Sequence, residues 1–208
     1  MRDKYFYSNP PGVTDNLKGK HIFIAGAGGL GSNAAMLLIR AGADKLTIID
    51  FDKIEHSNIN RQFYFRDQVG LIKVEALKIN LERINPDINV EILNFHLTKE
   101  NCATVIPQNT DLILECFDSA ESKAMLASFA LKLRPEIPII TVSGIAGAGP
   151  IETIKTVQGP GKMVIIGDGT TEATPENGTL SSRVMYVSSI QAHLAIEILT
   201  VPKKTLRV

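Results

Sequence analysis

The stretch Gly26-Ala-Gly28-Gly29-Leu-Gly31 decides the fold of this chain of 208 residues. The short apolar run Ile22–Ala25 precedes it, and apolar residues recur at helical spacing from Gly29 to Gly42. A second apolar run, Leu46–Ile49, follows and ends at Asp50. Strand, helix and strand within about 30 residues are the size of one βαβ unit.

The glycines suit a loop that approaches a phosphate. Gly26 permits a tight turn, Gly28 lets the backbone come close to the ligand, and Gly31 lets the helix pack near the strand. The free amides at the start of the helix favour an anion, and Asp50 stands where an acid accepts hydrogen bonds from ribose hydroxyls. The pattern predicts nucleotide binding, and the loop alone favours NAD or FAD over ATP. The alternative is a glycine turn that only packs the helix closely.

The rest of the chain continues the alternation of strands and helices, which predicts a Rossmann-like, doubly wound, mostly parallel α/β sheet. Two late strands are expected to be antiparallel. We divide the chain into an N-terminal arm (1–19), a single domain (20–200) and a C-terminal tail (201–208). The later predicted elements are a helix over 71–85, a strand over 90–95, a short helix over 98–106, a strand over 111–116, a helix over 119–133, strands over 137–142, 151–157 and 163–166, and a helix over 184–199.

Composition excludes several classes of protein. Lys plus Arg (22) balances Asp plus Glu (22), so we expect no nucleic-acid partner. No window reaches the ~18 apolar residues of a membrane span, and the first residues lack the apolar stretch of a signal peptide. The two cysteines, Cys102 and Cys116, form neither a zinc-ligand set nor a disulfide scaffold. We therefore expect a cytoplasmic protein.

A cluster of polar side chains follows the second strand. Asp50-Phe-Asp52 leads into Ser57-Asn58-Ile-Asn60-Arg61-Gln62, and Lys73 begins the next helix. Ligands bind at this edge of an open α/β sheet. Arg61 with bidentate contacts and Lys73 as a point charge suit a triphosphate, whereas hydride transfer needs no such pair of cations. Each residue alone fits a solvated surface, but the clustering favours a site.

These motifs resemble the ThiF/MoeB/HesA family of sulfur-carrier-protein adenylyltransferases, which are relatives of the ubiquitin-activating enzymes. The resemblance covers about residues 18–200. Glu115-Cys-Phe-Asp118 is similar to the family's Asp-x-x-Asp-Asn segment, with Ser119 in place of the usual Asn. The other matching segments are the glycine loop, Asp50-Phe-Asp52, Ser57–Gln62, Lys73, Asn85-Pro86 and the closing stretch from Gly178 to Leu199.

The resemblance implies ATP and Mg²⁺ as cofactors and, as partner, a small sulfur-carrier protein whose Gly-Gly C-terminal carboxylate is adenylated. It implies that Asp50 holds the ribose and that Asp118 holds magnesium. The alternative role for Asp118 is to cap the helix that follows Ser119. The candidate catalytic residues are Arg61, Lys73 and Asp118, and the candidate nucleotide-binding residues are Gly26, Gly28, Gly29, Gly31, Asp50, Asp52, Asn58, Asn60, Arg61, Gln62 and Lys73.

The chain departs from the family in three ways. It lacks the two Cys-x-x-Cys pairs of many members, so we expect no zinc. Residues 159–178 contain no cysteine, so we expect no thioester or persulfide step on this chain. Residues 1–19 carry only Arg2 and Lys4 and do not align with the arginine-bearing N-terminal segment of longer members. In these three respects the chain resembles the short ThiF type. This resemblance implies a role in thiamine (thiazole) biosynthesis and a homodimer.

Three other functions remain open from the sequence. The first is an NAD-binding oxidoreductase that uses the same glycine loop. The second is a protein that binds a nucleotide without reacting. The third is activation of a tRNA-base carboxylate, as related dehydratases do, although the neutral net charge is atypical of an RNA-binding surface.

Overall fold

The computed structural model describes residues 4–201, and one sheet of seven strands forms its centre. The strands are β1 (His21–Ala25), β2 (Lys45–Ile49), β3 (Asn89–Leu93), β4 (Leu112–Glu115), β5 (Ile139–Val142), β6 (Lys155–Gln158) and β7 (Met163–Gly167). The helices are α1 (Val13–Leu17), α2 (Gly29–Ala41), α3 (Lys73–Glu82), α4 (Cys102–Val105), α5 (Ala120–Leu133) and α6 (Ser181–Thr200). None of the helices within these described residues is long and apolar enough to cross a membrane.

The strand order is β3-β2-β1-β4-β5-β7-β6. Every neighbouring pair from β3 to β7 is parallel, and β6 is antiparallel to β7. This confirms the predicted doubly wound fold, with antiparallel pairing confined to the two late strands. The strand order reverses between β1 and β4, and a crevice for ligands opens at such a point beyond the carboxyl ends of the strands.

The core lies on both faces of the sheet. In β1, Ile22 and Ile24 belong to the cluster that includes α2, α3 and α6, whereas Phe23 and Ala25 belong to the cluster that includes α4 and α5. Successive side chains of a strand point to opposite faces, so a central strand covered on both sides must be apolar throughout. All five residues of β1 are buried, which accounts for the apolar run Ile22–Ala25, and the buried ring of His21 has Asn109 and Thr47 as hydrogen-bond partners.

Some boundaries differ from the sequence prediction. The expected strand over 151–157 begins instead with a 3-10 turn, Ile151–Thr153, and β6 starts only at Lys155. The turn forms because Arg183 of α6 donates hydrogen bonds to the carbonyl oxygens of Gly149 and Pro150, which holds the chain in a bend. The residues in this contact are more than 30 positions apart in the sequence, so no local pattern predicts it.

The predicted arm contains structure of its own. Val13–Leu17 forms α1, and Leu17 is fully buried. The side chains of Asn9 and Thr14 both donate hydrogen bonds to the carbonyl oxygen of Ala41 at the end of α2. Residues 1–3 of the arm and 202–208 of the tail lie outside the described residues. The division of the chain into arm, domain and tail stays a prediction.

The end of β1 and the start of α2 meet without an intervening side chain. A Cβ at Gly31 would lie 1.8 Å from the carbonyl oxygen of Gly26. Gly26 itself has φ 106°, and a Cβ there would lie 2.7 Å from the carbonyl oxygen of Cys116. Gly28 differs, since its φ is −79° and the nearest atom to its Cβ position is 3.8 Å away.

Arg183 and Asp168 form a buried ion pair that joins α6 to the loop after β7. The guanidinium donates to the Asp168 carboxylate at 2.7 Å, and the two side chains are only 3% and 7% exposed. Burial by itself would raise the pKa of Asp168, but hydrogen bonds from Thr171, Thr170 and Arg183 outweigh it and lower the pKa far below its ordinary value. The carboxylate therefore stays ionised in the folded protein.

We predict that Gly31→Ala lowers the free energy of unfolding by about 3 kcal/mol, because the new methyl group collides with backbone. Gly28→Ala is the matched control and should lower it by about 1 kcal/mol or less, since its Cβ has room. Urea denaturation of both variants measures the difference. Equal losses would show that close packing of α2 on β1 is not what requires Gly31.

A second prediction concerns acid stability. The pKa of Asp168 is lower in the folded protein than in the unfolded chain. The ionised carboxylate therefore stabilises the fold above the unfolded pKa of about 3.9, and this stabilisation is lost as the pH falls from there towards the folded pKa. Asp168→Asn should lower the free energy of unfolding near pH 7 by about 3 kcal/mol. It should also flatten the decline in the free energy of unfolding as the pH falls below about 4.

Denaturant titrations across this pH range test the prediction. Glu82→Gln is the control, because Glu82 forms only a surface pair with Lys78 at 4.0 Å and should change stability by less than ~1 kcal/mol. An unchanged pH slope in Asp168→Asn would contradict the assignment.

Candidate active site

The predicted site residues gather at the carboxyl ends of β1, β2 and β4, where the strand order reverses. The glycine loop leaves β1 and turns directly into α2. The amide of Gly26 donates to the carbonyl oxygen of Ile49 at 2.8 Å, so the loop is tied to the end of β2. The first amides of α2 are thus held at the edge of the crevice, where a helix start attracts anions.

Asp50 fixes the glycine loop to the chain that follows β2. Its Oδ2 accepts a hydrogen bond from the amide of Ala27 at 2.7 Å, and its Oδ1 accepts one from the amide of Asp52 at 2.8 Å. The residue is half-buried. A carboxylate has about four lone-pair sites, so each oxygen keeps the capacity to accept a further hydrogen bond from a ribose hydroxyl.

Lys73 is connected to the same loop through Asp52. Its ammonium lies 2.6 Å from Asp52 Oδ2, and its amide donates to the Asp52 carbonyl oxygen at 2.9 Å. Lys73 is only 6% exposed, whereas the Asp52 side chain is 45% exposed. An ammonium has three donors, so the contact with Asp52 leaves two for a ligand.

Arg61 lies at the other end of the loop. Its Cγ is 3.5 Å from the Cβ position of Gly29, and its guanidinium donates to the carbonyl oxygen of Ser57 and to Asn60 Oδ1. The side chain of Asn33 donates to the carbonyl oxygens of both Gly29 and Arg61, which locks this segment onto α2. Arg61 therefore packs directly against the glycine loop, whereas Lys73 is joined to it indirectly, through Tyr64 and through Asp52 and Asp50.

The three amide side chains of the 58–62 segment have different surroundings. Asn58 is buried and accepts the amide of Glu55, so it shapes the turn itself. Asn60 is exposed and donates to the carbonyl oxygen of Thr179, in the loop before α6. Gln62 is buried beside Gly28, and within the described residues its Oε1 has no hydrogen-bond partner. This buried acceptor beside the glycine loop is available to a ligand.

Asp118 follows β4 at the same edge. The carbonyl oxygen of Cys116 and the amide of Phe117 lie 2.7 and 3.3 Å from the Cβ position of Gly26, so this turn contacts the glycine loop. Asp118 is exposed, and none of residues 4–201 pairs with its carboxylate. The alternative role as helix cap is wrong, because Ser119 caps α5 by accepting the amide of Ser122.

The donor set suits Mg²⁺ bound together with a nucleotide. Among residues 4–201 no group of three or more metal-ligating side chains comes together. Mg²⁺ commonly takes one or two carboxylates, substrate phosphates and waters. A single exposed carboxylate beside a phosphate loop matches that preference.

Sequence reasoning missed Tyr64. Its buried hydroxyl donates to the carbonyl oxygen of Ala27 at 2.7 Å and lies 3.3 Å from that of Lys73. Burial, then the charges of Asp50 and Asp52, raise the pKa of Tyr64 well above its usual value, so it remains a donor. The only sequence signal is a tyrosine two positions after the polar segment.

Both cysteines are unsuited to nucleophilic chemistry. Cys102 and Cys116 are buried and free. Burial, with a smaller effect of the Glu100 charge, raises the pKa of Cys102 to about 11. Burial and then the charge of Glu115 raise the pKa of Cys116 even further. The thiolate is the nucleophilic form, and neither residue provides it near neutral pH.

Solved structures with this fold include the tRNA N6-threonylcarbamoyladenosine dehydratase of Escherichia coli in complex with AMP. That structure superposes with a TM-score of 0.80 at 23% identity, covering 90% of this chain and 88% of that one. Escherichia coli MccB with ATP superposes with a TM-score of 0.69 at 20% identity, covering 90% of this chain and 58% of that one. At these identities the structural likeness establishes the fold.

Sequence relatives are closer in identity but align over part of their length. The chain is 37% identical to the molybdopterin-synthase adenylyltransferase of Haemophilus influenzae over 138 residues, which is 66% of this chain and 56% of that protein. It is 37% identical to ubiquitin-like modifier-activating enzyme 5 of Caenorhabditis elegans over 52% of this chain and 28% of that protein. The chain thus spans about half or less of these relatives. The ThiF family profile matches residues 6–207, nearly the whole chain, and the protein therefore belongs to the ThiF family.

Proposed function

We propose that this protein uses ATP and Mg²⁺ to adenylate the C-terminal carboxylate of a small, ubiquitin-like sulfur-carrier protein ending in Gly-Gly. The observation that carries the proposal is that two cations are associated with one glycine loop: Arg61 packs against Gly29, and Lys73 is joined to Ala27 through Tyr64. Two cations around the amides at the start of a helix suit a polyphosphate, since Arg and Lys are the usual phosphate partners. The adenylyltransferase named among the relatives supports the same chemistry.

The bound nucleotide follows from the donors and acceptors of the site. Asp50 accepts hydrogen bonds from the ribose hydroxyls, and the amides around Gly28 and Gly29 face the phosphates. Lys73 and Arg61 neutralise phosphate charge from opposite ends of the loop. Gln62 offers its unpaired buried Oε1 as a hydrogen-bond acceptor to the bound nucleotide.

The reaction is a displacement at the α-phosphorus of ATP. A carboxylate oxygen of the carrier attacks that phosphorus, the bond to the oxygen bridging the α- and β-phosphates breaks, and pyrophosphate leaves. No general base is needed, since a terminal carboxyl with pKa about 3.5 is already ionised at neutral pH. The residues act by orienting the reactants and by neutralising charge. When bound, Mg²⁺ neutralises the leaving pyrophosphate, and Asp118 would hold it.

The product is a free acyl-adenylate. The buried cysteines have raised pKa values, which supports transfer of the activated carrier without a thioester on this chain. By its resemblance to the short ThiF type, we place the protein in thiamine (thiazole) biosynthesis, as a cytoplasmic homodimer. The carrier of that pathway is accordingly the first partner to test.

A second candidate is activation of a tRNA-base carboxylate. It is favoured by the structural likeness to the Escherichia coli dehydratase and by 35% identity to the same kind of enzyme over 128 residues. The balanced charge of the chain favours the carrier protein instead, because RNA-binding surfaces are usually basic.

ATP–pyrophosphate exchange tests the proposal. We expect exchange that depends on a carrier protein ending in Gly-Gly and disappears when those two residues are removed from the carrier. Parallel reactions contain tRNA bearing the modified base, or NAD with candidate alcohols. No exchange with any carrier despite ATP binding would contradict the proposal, and tRNA-dependent turnover would favour the second candidate.

We predict that Arg61→Ala lowers the exchange rate about 100-fold, since a charge-assisted hydrogen bond contributes about 1.5–3 kcal/mol. Arg66→Ala is the matched control, because Arg66 is an exposed arginine in the following 3-10 turn, Arg66–Gln68. Steady-state exchange rates and thermal unfolding are measured for both variants. Equal loss of exchange in the two folded variants would remove Arg61 from the mechanism.

A further inference from the structure

A fully buried carboxylate lies just behind the proposed magnesium ligand. Glu115 is the last residue of β4, and its side chain has no exposed surface. Its Oε1 accepts the amide of Phe117 at 2.8 Å, and its Oε2 accepts the hydroxyl of Thr141 at 2.5 Å. The ammonium of Lys123, from α5, donates to both oxygens at 3.0 and 3.2 Å.

This set of partners suits a carboxylate at this position. Three donors surround the carboxylate, and one of them carries a compensating charge. A buried charge without such partners is strongly unfavourable. A neutral side chain of the same shape cannot match three donors, because an amide offers one acceptor oxygen and replaces the other with a donor.

The main chain beside Glu115 is held as firmly as its side chain. The side chain of Gln191 donates to the carbonyl oxygens of Glu115 and Ile140, which fixes α6 against the end of β4 and the neighbouring strand β5. The amide of Cys116 donates to the carbonyl oxygen of Ala25, just before the glycine loop. The strand end is therefore fixed from both sides before the chain turns.

The turn from 116 to 119 is then anchored at each end. At its start, the Glu115 carboxylate accepts the amide of Phe117. At its end, the hydroxyl of Ser119 accepts the amide of Ser122. Asp118 lies between these two anchors, exposed and without a partner among residues 4–201. The geometry holds the backbone of Asp118 in place and leaves its carboxylate open for a ligand.

We propose that Glu115 is a positioning residue: its buried negative charge, acting through the amide of Phe117 and balanced by Lys123, fixes the turn that presents Asp118 to a divalent cation. The inference rests on the proposed function for the role of Asp118. It goes beyond that function by making cation affinity depend on a charge that contacts neither cation nor nucleotide.

A purely structural role for Glu115 makes a different prediction. If the carboxylate only joined β4 to α5, its loss would lower stability and leave cation binding by the folded protein unchanged. Thr141→Val supplies this comparison, because it removes one hydrogen bond to the same carboxylate and leaves the contact with Phe117 intact.

The test uses Mn²⁺ as a paramagnetic substitute for Mg²⁺. Binding of Mn²⁺ in the presence of saturating ATP is followed by electron paramagnetic resonance, and amide hydrogen exchange of Phe117 is followed without metal. Glu115→Gln should raise the Mn²⁺ dissociation constant about tenfold and speed exchange of the Phe117 amide about tenfold. Both changes correspond to the loss of one hydrogen bond to a charged acceptor. In Thr141→Val and in the charge-conserving Glu115→Asp, the dissociation constant and the exchange rate should both stay within about threefold of the values for the unchanged protein.

The outcomes separate this inference from the proposed function. Unchanged Mn²⁺ binding in Glu115→Gln, or equal weakening in Thr141→Val, overturns the inference. If Asp118→Asn binds Mn²⁺ as the unchanged protein does, Asp118 is not the cation ligand. The exchange rate of the Phe117 amide still reports whether Glu115 holds the turn. If Glu115→Gln does not fold, the double variant Glu115→Gln/Lys123→Gln replaces the ion pair by a neutral pair. It must show the same tenfold weakening.

Discussion

The close approach of α2 to the end of β1 is the constraint on which the site depends. With only 1.8 Å between the carbonyl oxygen of Gly26 and a Cβ position at Gly31, the contact admits no side chain. This contact fixes where α2 starts and therefore where its unpaired amides point. Tyr64 and Asp50 then hold the loop from behind, one through the carbonyl oxygen of Ala27 and the other through its amide. The anion site is thus rigid before any ligand arrives, and the reorganisation needed on binding is small.

The charges around this loop balance one another in the protein alone. A buried ammonium without a counterion would be strongly unfavourable, and Asp52 meets that requirement for Lys73. Since Asp52 is half-exposed while Lys73 is buried, water screens the acid more than the base, and the ammonium keeps two donors for phosphate oxygens. Asn60 contacts Arg61 through a neutral oxygen, and among residues 4–201 no acid forms an ion pair with this guanidinium. The two cations therefore differ in character: Lys73 has a carboxylate as counterion, whereas Arg61 donates only to neutral oxygens among the described residues.

Local patterns in the sequence predicted the parts of the structure that depend on local rules. The βαβ unit, the order of alternating elements and the placement of Asp50, Arg61 and Lys73 after known strand ends follow from periodicity and from the sheet-edge rule. What escaped prediction depends on partners distant in sequence. The 3-10 turn at Ile151–Thr153 needs Arg183, α1 is held against α2 by side-chain contacts with Ala41, and Tyr64 finds its acceptor 37 positions away. The cap of α5 was missed for a smaller reason, because Asp118 and Ser119 are adjacent and both are good capping residues. Only the backbone geometry decides between them.

Two buried ion pairs stand behind the carboxyl edge of the sheet, and their positions explain why charges are used there. Glu115–Lys123 closes the turn after β4, and Asp168–Arg183 closes the loop after β7. Apolar contacts at the same places would tolerate rotation of the turns, since packing has little directional preference. A carboxylate that accepts hydrogen bonds from specific backbone amides permits only one arrangement of the chain. The loops that leave the sheet at this edge therefore keep fixed directions although they are largely exposed, and Asn60 links the second of these loop regions back to the glycine-loop site through Thr179. Directional charge pairs behind the edge leave the side chains at its surface free for ligands.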